Sequence, residues 1–144
     1  MFNRILVATD GSIHSRRAAL IGAELARTLG ASLTLLTAYQ LPPGFEGEPG
    51  YSRDLEAALG EAQAVLAAEA AAIAANGGPA AELEAIGGAE PAQTIFDATA
   101  SGRFDLLVMG TRGLGRFGRT FLGSVSAHVA AHSPIPVLIA HDTD

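Results

Sequence analysis

Short apolar runs alternate along this chain with longer segments in which apolar residues recur at helical spacing. The apolar runs predict five strands, at residues 3–9, 32–38, 81–86, 104–109 and 135–140. The segments between them predict four helices, at residues 15–29, 53–76 and 91–100 and after Ser124. Strands that alternate with helices are typical of a parallel sheet. We therefore predict a doubly wound α/β domain with helices on both faces of the sheet.

Turn-forming residues mark the predicted helix ends. Gly30 would cap the first helix, whose inward stripe we predict to comprise Ala18, Ala19, Ile21, Gly22, Leu25, Ala26 and Leu29. The second, alanine-rich helix stops at Asn76-Gly77-Gly78-Pro79. Pro91 fits the first turn of the third helix, with Ile95 and Phe96 turned inward. Residues 41–52 combine three prolines with three glycines and predict a surface loop.

The most informative polar segment follows the fourth predicted strand. Gly110 and Gly113 allow a sharp turn and a close approach to a ligand, while Gly123 and Ser124 precede a helix whose first N–H groups lack helical partners. Such N–H groups, together with the helix dipole, bind phosphate. Ser126 and Ser124 offer hydroxyl donors. Positive charge comes from Arg112, Arg116 and Arg119. We therefore predict a nucleotide site, although glycine loops and N-cap serines also occur as plain connections.

The charge distribution supports an anion site. The chain has 15 acidic and 9 basic residues, yet no acidic residue lies between Asp105 and Asp142. The net charge of −6 argues against nucleic acid as the main partner, because phosphate backbones need extended basic faces. Lysine is absent, which excludes a P-loop with its phosphate-bridging lysine.

Length and composition predict one compact domain over residues 1–144. Cysteine is absent, so disulfides, thiolate nucleophiles and zinc-thiolate sites are excluded. We see no basic-then-apolar leader and no apolar run near the ~20 residues of a membrane span. The expectation is a cytoplasmic protein without membrane contact.

Open α/β sheets bind ligands outside the strand C-termini, where the strand order reverses. If the first and fourth strands flank that point, Thr9-Asp10-Gly11-Ser12 and residues 110–126 face each other across it. These motifs, together with Gly123-Ser124-Val125 and the closing Pro134-Ile-Pro136 segment, resemble those of the universal stress protein family over the whole chain. The spacing Gly-2x-Gly-9x-Gly-Ser resembles the branch of that family that binds ATP.

The resemblance implies a Rossmann-like open sheet of five parallel strands in the order 3-2-1-4-5, a homodimer, and ATP with Mg²⁺ at the strand C-termini. By motif, the phosphates and ribose would contact a set of residues that begins after the fourth strand: Met109, Gly110, Arg112, Gly113, Gly123, Ser124, Val125 and Ser126. Asp10 would lie near the ribose or the metal ion, with Ala8 and Thr9 beside it, unless it only caps the following turn. Ala38, or Thr37 before it, would border the adenine.

Three functions stay open at this stage. The first is a stress-response regulator whose ATP occupancy alters its conformation or its unknown protein partners. The second is a slow ATPase or self-phosphorylating phosphotransferase, and the third is an interaction protein in which the nucleotide is structural. The fifth strand, an apolar edge, predicts the dimer contact. Ser124, His128 and His132 share a helical face, which we interpret as solvated or subunit-facing rather than metal-binding.

Overall fold

The computed structural model describes residues 1–111 and 124–141. Its elements follow one another as β1 (Arg4–Ala8), α1 (Ile13–Leu29), β2 (Ser32–Gln40), α2 (Tyr51–Ala75), β3 (Glu82–Gly88), α3 (Pro91–Ala100), β4 (Leu106–Gly110), α4 (Ser124–His132) and β5 (Val137–Ala140). The strands form one parallel sheet in the order β3-β2-β1-β4-β5. The predicted fold class and strand order are confirmed.

Alternation along the strands divides the core into two clusters. Ile5 and Val7 of β1 pack with α1 and α2 on one face, while Leu6 and Ala8 pack with α3 and α4 on the other. Because β1 is paired on both sides and covered on both faces, Ile5, Leu6 and Val7 are fully buried. This explains why the strand reads as a continuous apolar run.

The inward stripe of α1 differs from the prediction at its last position. Leu29 was expected to point inward, but it is 48% exposed at the end of the helix. Ala23 is buried in the core instead, at 4% exposure. Ala26 in the same turn stays buried at 1% exposure, so only the end of that turn, next to the Gly30 cap, lies outside the core.

A small residue brings α1 close to the sheet. An ideal Cβ built on Gly22 would lie 2.5 Å from Cγ2 of Val7, so any larger residue would push the helix away from β1. The close packing sets the height of α1 above the sheet along its length. It therefore also sets where the N-terminus of α1 lies relative to the end of β1.

The helix α2 is the one described helix that is long and apolar enough for a membrane span, with a mean hydropathy of 1.3 over its best window. We did not expect any segment to reach that threshold. Length and composition are weak evidence, because helices that cover a sheet pass the same test. Leu66 and Ile73 pack into the core, and the fully buried Glu69 accepts a 2.6 Å hydrogen bond from Arg16 Nε of α1. These contacts are those of a helix that covers a sheet.

At the opposite end of β1, Asp105 ties two strands together. Its carboxylate accepts hydrogen bonds from the backbone N–H groups of Asn3, at 2.9 Å, and Arg4, at 3.0 Å. Its own N–H donates to the carbonyl oxygen of Arg4. Burial raises the pKa of Asp105, but these N–H donors and the charge of Arg4 outweigh burial and place the pKa below the ordinary carboxyl value. The ionised carboxylate therefore stabilises the fold.

We predict that Asp105→Asn lowers the free energy of unfolding by about 1–2 kcal/mol at neutral pH, because the two N–H groups lose a charged acceptor. A depressed pKa stabilises the fold fully above the unfolded-state value of about 3.9. The advantage of the wild type should therefore decline as the pH falls through the lower, folded-state pKa. Urea denaturation from pH 7 to pH 3 measures both effects, with Glu46→Gln in the exposed loop as control. A difference between wild type and variant that does not change with pH would contradict this role.

Candidate functional site

The strand order reverses between β1 and β4. From β1 the chain crosses α1 to β2 on one side, and from β4 it crosses α4 to β5 on the other. The C-terminal ends of β1 and β4 therefore border a crevice at which both α1 and α4 begin. Two helix N-termini, whose first N–H groups have no acceptor within the helix itself, favour an anionic ligand group at one crevice. This is the position at which open α/β sheets bind ligands.

The turn after β1 is organised by one buried hydroxyl. Ser15 Oγ, which is fully buried, donates to Asp10 Oδ1 at 2.9 Å and accepts from Thr9 Oγ1 at 2.9 Å. It also accepts from the Asp10 N–H at 3.2 Å. Ser12 caps α1 by accepting from the Ser15 N–H, which is why the helix begins at Ile13, two residues earlier than predicted. The turn is therefore rigidly connected to the first turn of α1.

These bonds position the Asp10 carboxylate. Its Oδ1 accepts from the Ser12 N–H at 2.9 Å as well as from Ser15 Oγ. Asp10 thus caps the turn, the alternative that the sequence left open. Within the described parts of the chain no hydrogen bond is recorded for its Oδ2, and the side chain is half-buried at the edge of a cavity. Oδ1 of Asp10 is therefore held by the protein, and the residue lines the cavity.

The first turn of α1 lies close to the end of β4. An ideal Cβ on Gly110 would lie 2.8 Å from the carbonyl oxygen of His14 in the first turn of α1, so only glycine permits this approach. The carbonyl oxygen of Gly110 accepts a 2.7 Å hydrogen bond from Ser126 Oγ, which is fully buried. We expected Ser126 to donate to a ligand, but its hydroxyl instead connects α4 to β4. Ser126 is a positioning residue.

The remaining predicted residues fall into three groups. Ala8, Met109 and Ala38 have side chains buried in the core cluster under α3 and α4, and the half-buried Val125 packs against that cluster. Thr9 is buried, and its hydroxyl donates a hydrogen bond to Ser15. Ser124 is exposed at the start of α4. Outside the described residues lie Arg112, Gly113, Arg116, Arg119 and Gly123. The structure therefore places Gly110 beside the first turn of α1 and connects it to α4 through Ser126.

A cavity of about 250 Å³ opens beside Asp10, between the end of β2 and α2. Its sheet side is formed by Thr37, Tyr39 and Gln40, and its α2 side by one helical face: Ala58, Glu61, Ala62 and Val65. Thr37 is 5% exposed, and its Oγ1 is buried without a hydrogen-bond partner. An orphaned buried hydroxyl is rare and requires an explanation. Thr37 and Ala38 were the two residues predicted to border the adenine. The side chain of Thr37 faces the cavity, and that of Ala38 faces the core.

Three residues of this region were not predicted from the sequence. Ser12 directly before a helical run is a sequence signal for an N-cap, but Ser15 is not the Glu or Gln of a capping box, so no motif identified its role. Tyr39 lies just past the predicted end of β2, which continues to Gln40. Glu61 lies on a helix that is distant in sequence, and no local motif signals its position.

A larger cavity, of about 500 Å³, lies elsewhere, between the end of β3 and α3. Its cation, Arg103, is paired with Glu84 and lies 4.8 Å from the ring centre of Phe104. The hydrogen bond and the charge of Glu84 raise the pKa of Arg103 above its ordinary value. None of the residues predicted to bind ligand lines this cavity. Its size alone does not make it the functional site.

The histidines of α4 do not assemble a metal centre in the described structure. His128 and His132 are exposed, with ring centres 4.7 Å apart, and His132 Nδ1 contacts the carbonyl oxygen of His128 at 2.8 Å. No group of three or more His, Cys, Asp or Glu residues suited to a metal ion occurs among residues 1–111 and 124–141. One ring nitrogen of the pair is already engaged with backbone.

Comparison with known proteins defines the class. The universal stress protein family profile matches residues 1–141. A universal stress protein of Thermus aquaticus is 42% identical over 139 residues, which cover 96% of this chain and 98% of that protein. The chain therefore belongs to the universal stress protein family.

Solved structures agree with this assignment. The universal stress protein UspA from Lactobacillus plantarum has a TM-score of 0.82 at 26% identity, with 96% of this chain and 97% of that one covered. A universal stress protein in complex with cAMP has a TM-score of 0.76 at 29% identity, with 99% of each chain covered. At least one structural relative thus binds an adenine nucleotide.

Proposed function

We propose that this protein binds an adenine nucleotide, ATP with Mg²⁺, across the crevice between β1 and β4, and that occupancy of the site regulates its conformation or its partners. One observation carries the proposal. At the point where the strand order reverses, Gly110 at the end of β4 lies so close to the first turn of α1, which directly follows the Asp10 turn, that an ideal Cβ would be 2.8 Å from the carbonyl oxygen of His14. The cAMP complex of a relative supports the adenine nucleotide as the ligand class.

The phosphates would lie at the end of β4 and the N-terminus of α4. Gly110 ends β4 with its backbone close to the first turn of α1, and Ser124 is exposed at the first turn of α4. From the family motif we add Arg112, Gly113 and Gly123 to this subsite, together with the backbone of Met109 and Val125. Backbone N–H groups and arginine would neutralise the phosphates without a lysine.

Asp10 would face the ribose and the metal ion. Oxygen ligands are those that Mg²⁺ prefers, and Mg²⁺ bound to nucleotides commonly uses one or two carboxylates with the phosphates. Asp10 fits because Oδ1 is held by the protein while Oδ2 has no hydrogen bond in the described structure. The backbone of Ala8, Thr9 and Ala38 borders the same region. When bound, Mg²⁺ would neutralise phosphate charge.

The hydrogen bonds of Asp10 favour regulation over catalysis. The hydroxyl of Ser15 and the N–H of Ser12 donate to Oδ1, so that oxygen is engaged with the protein rather than with an attacking water. We expect bound ATP to persist, with turnover far below the median enzyme rate of about 10 per second. A cytoplasmic location and the absence of a nucleic-acid partner stay predictions from the sequence.

We also propose a homodimer through β5. This strand lies at the edge of the sheet, with β4 on its only paired side, and its residues from Val137 to Ile139 are half-buried in the single chain. An apolar edge with unpaired backbone groups favours pairing with a second copy.

For the dimer, we predict that light scattering gives twice the chain mass of 14.7 kDa. Ile139→Glu should give monomer, because a charge in the paired edge would be desolvated. Leu83→Glu, on the exposed edge strand β3 at the other side of the sheet, is the matched control and should remain a dimer. A monomeric wild type at high concentration would contradict the proposal.

For the nucleotide, we predict that Asp10→Asn weakens Mg-ATP binding about tenfold, since the amide oxygen still accepts from Ser12 while the charge is lost. Binding measured with EDTA should change little. Calorimetric titration with and without Mg²⁺ measures both affinities, and the exposed Asp54→Asn on α2 is the control. Equal Mg-ATP affinity in wild type and Asp10→Asn would remove Asp10 from the site. Rapid phosphate release in the same samples would favour the ATPase alternative.

A further inference from the structure

We infer that Glu61 of α2 determines base specificity, by accepting a hydrogen bond from the exocyclic amino group of adenine in the cavity beside Asp10. This inference deepens the proposed function and rests on it. It assigns a role to the α2 side of the cavity, whose residues no sequence motif identified.

The sheet topology orders the parts of a bound nucleotide. The proposed phosphate subsite lies at the end of β4, Asp10 follows β1, and the cavity lies at the end of β2. A nucleotide that extends across these three neighbouring strands has its phosphates over β4 and its ribose near Asp10. Its base then reaches the β2 side. The cavity, at about 250 Å³, is below the ~300–1,000 Å³ typical of complete ligand pockets, so it suits one part of a ligand.

The charges around the cavity favour the base over the phosphates. Asp10 and Glu61 both line it, and none of the described lining residues is basic. Two carboxylates repel phosphate but accept hydrogen bonds from neutral donors. The buried, unpartnered hydroxyl of Thr37 independently indicates a polar ligand group here, because a bound base would supply the missing partner.

The shape of the cavity also suits a planar group. Ala58 and Ala62 lie one turn apart on α2, and their small side chains leave the space open. Tyr39 provides an aromatic ring on the sheet side. The ring leans over Gly87 of β3, where an ideal Cβ would lie 2.8 Å from Tyr39 Cε2. A ring held at the sheet side is a surface on which a base can stack.

Glu61 is then the acceptor on the α2 side. An ionised carboxylate accepts hydrogen bonds and cannot donate one, so it favours the amino group of adenine over a base with no donor at that position. Glu61 is exposed at the rim rather than enclosed, so water competes for it and the preference should be moderate.

A thermodynamic cycle tests this contact. ATP and purine riboside triphosphate, which lacks only the amino group, are titrated into wild type and Glu61→Ala. We expect Glu61→Ala to weaken ATP about tenfold and the purine analogue less than twofold. Glu61→Gln retains an acceptor oxygen and should keep part of the preference. Glu56→Ala, an exposed glutamate of α2 that does not line the cavity, is the matched control.

Equal losses for the two ligands, or no loss for either, would overturn the role of Glu61. The role would also be overturned if Glu61→Ala weakened the binding of ATP but not that of 2′-deoxy-ATP, since the contact would then be to the ribose. These outcomes differ from failure of the proposed function, in which the wild type would bind neither triphosphate. Because alanine is the best helix former and position 61 is exposed, Glu61→Ala should fold.

Discussion

The central position of β1 is the constraint on which the rest of the domain depends. This strand is paired with β2 on one side and β4 on the other, and its side chains belong to both core clusters. Asp105 fastens its beginning to β4, and the bonds around Ser15 fasten its end to α1. Any shift of β1 would therefore move both the core and the crevice. The β1 side of the crevice is therefore held by the same strand that organises the core.

The same constraint separates structural from ligand-facing groups at the crevice. Thr9, Ser15 and Ser126 are polar and nearly fully buried, and each has a hydrogen-bond partner within the protein. They hold the backbone in place and have no donor to spare. Asp10 is held by one oxygen only, and the buried Thr37 hydroxyl has no partner. Of the two buried side-chain atoms without a hydrogen-bond partner in the described part of the chain, Thr37 Oγ1 lies beside the cavity and Glu69 Oε2 lies on α2.

Local patterns predicted the elements, because apolar runs and helix caps depend on nearby residues. The strand order came with the family resemblance, since a pattern of strands does not specify which ones pair. Ala38 and Thr37 show the limit at the site: neighbours in a strand face opposite sides, and only the observed register assigns Thr37 to the cavity. The place of Glu61 at the cavity depends on how α2 lies over the sheet, and the exposure of Leu29 depends on where α1 ends. Both are tertiary properties. Ser126 was identified, but its partner was not.

The central claim is that one crevice, formed by the turn after β1 and the end of β4, binds the adenine nucleotide. Backbone amide chemical shifts recorded during an ATP titration with Mg²⁺ test it most directly, because they locate the ligand without a mutation. The account predicts saturable shifts in residues 9–12, at Gly110 and at Thr37, with little change at Gly88 beside the larger cavity. Shifts confined to the larger cavity between β3 and α3, or no shifts at all, would contradict it.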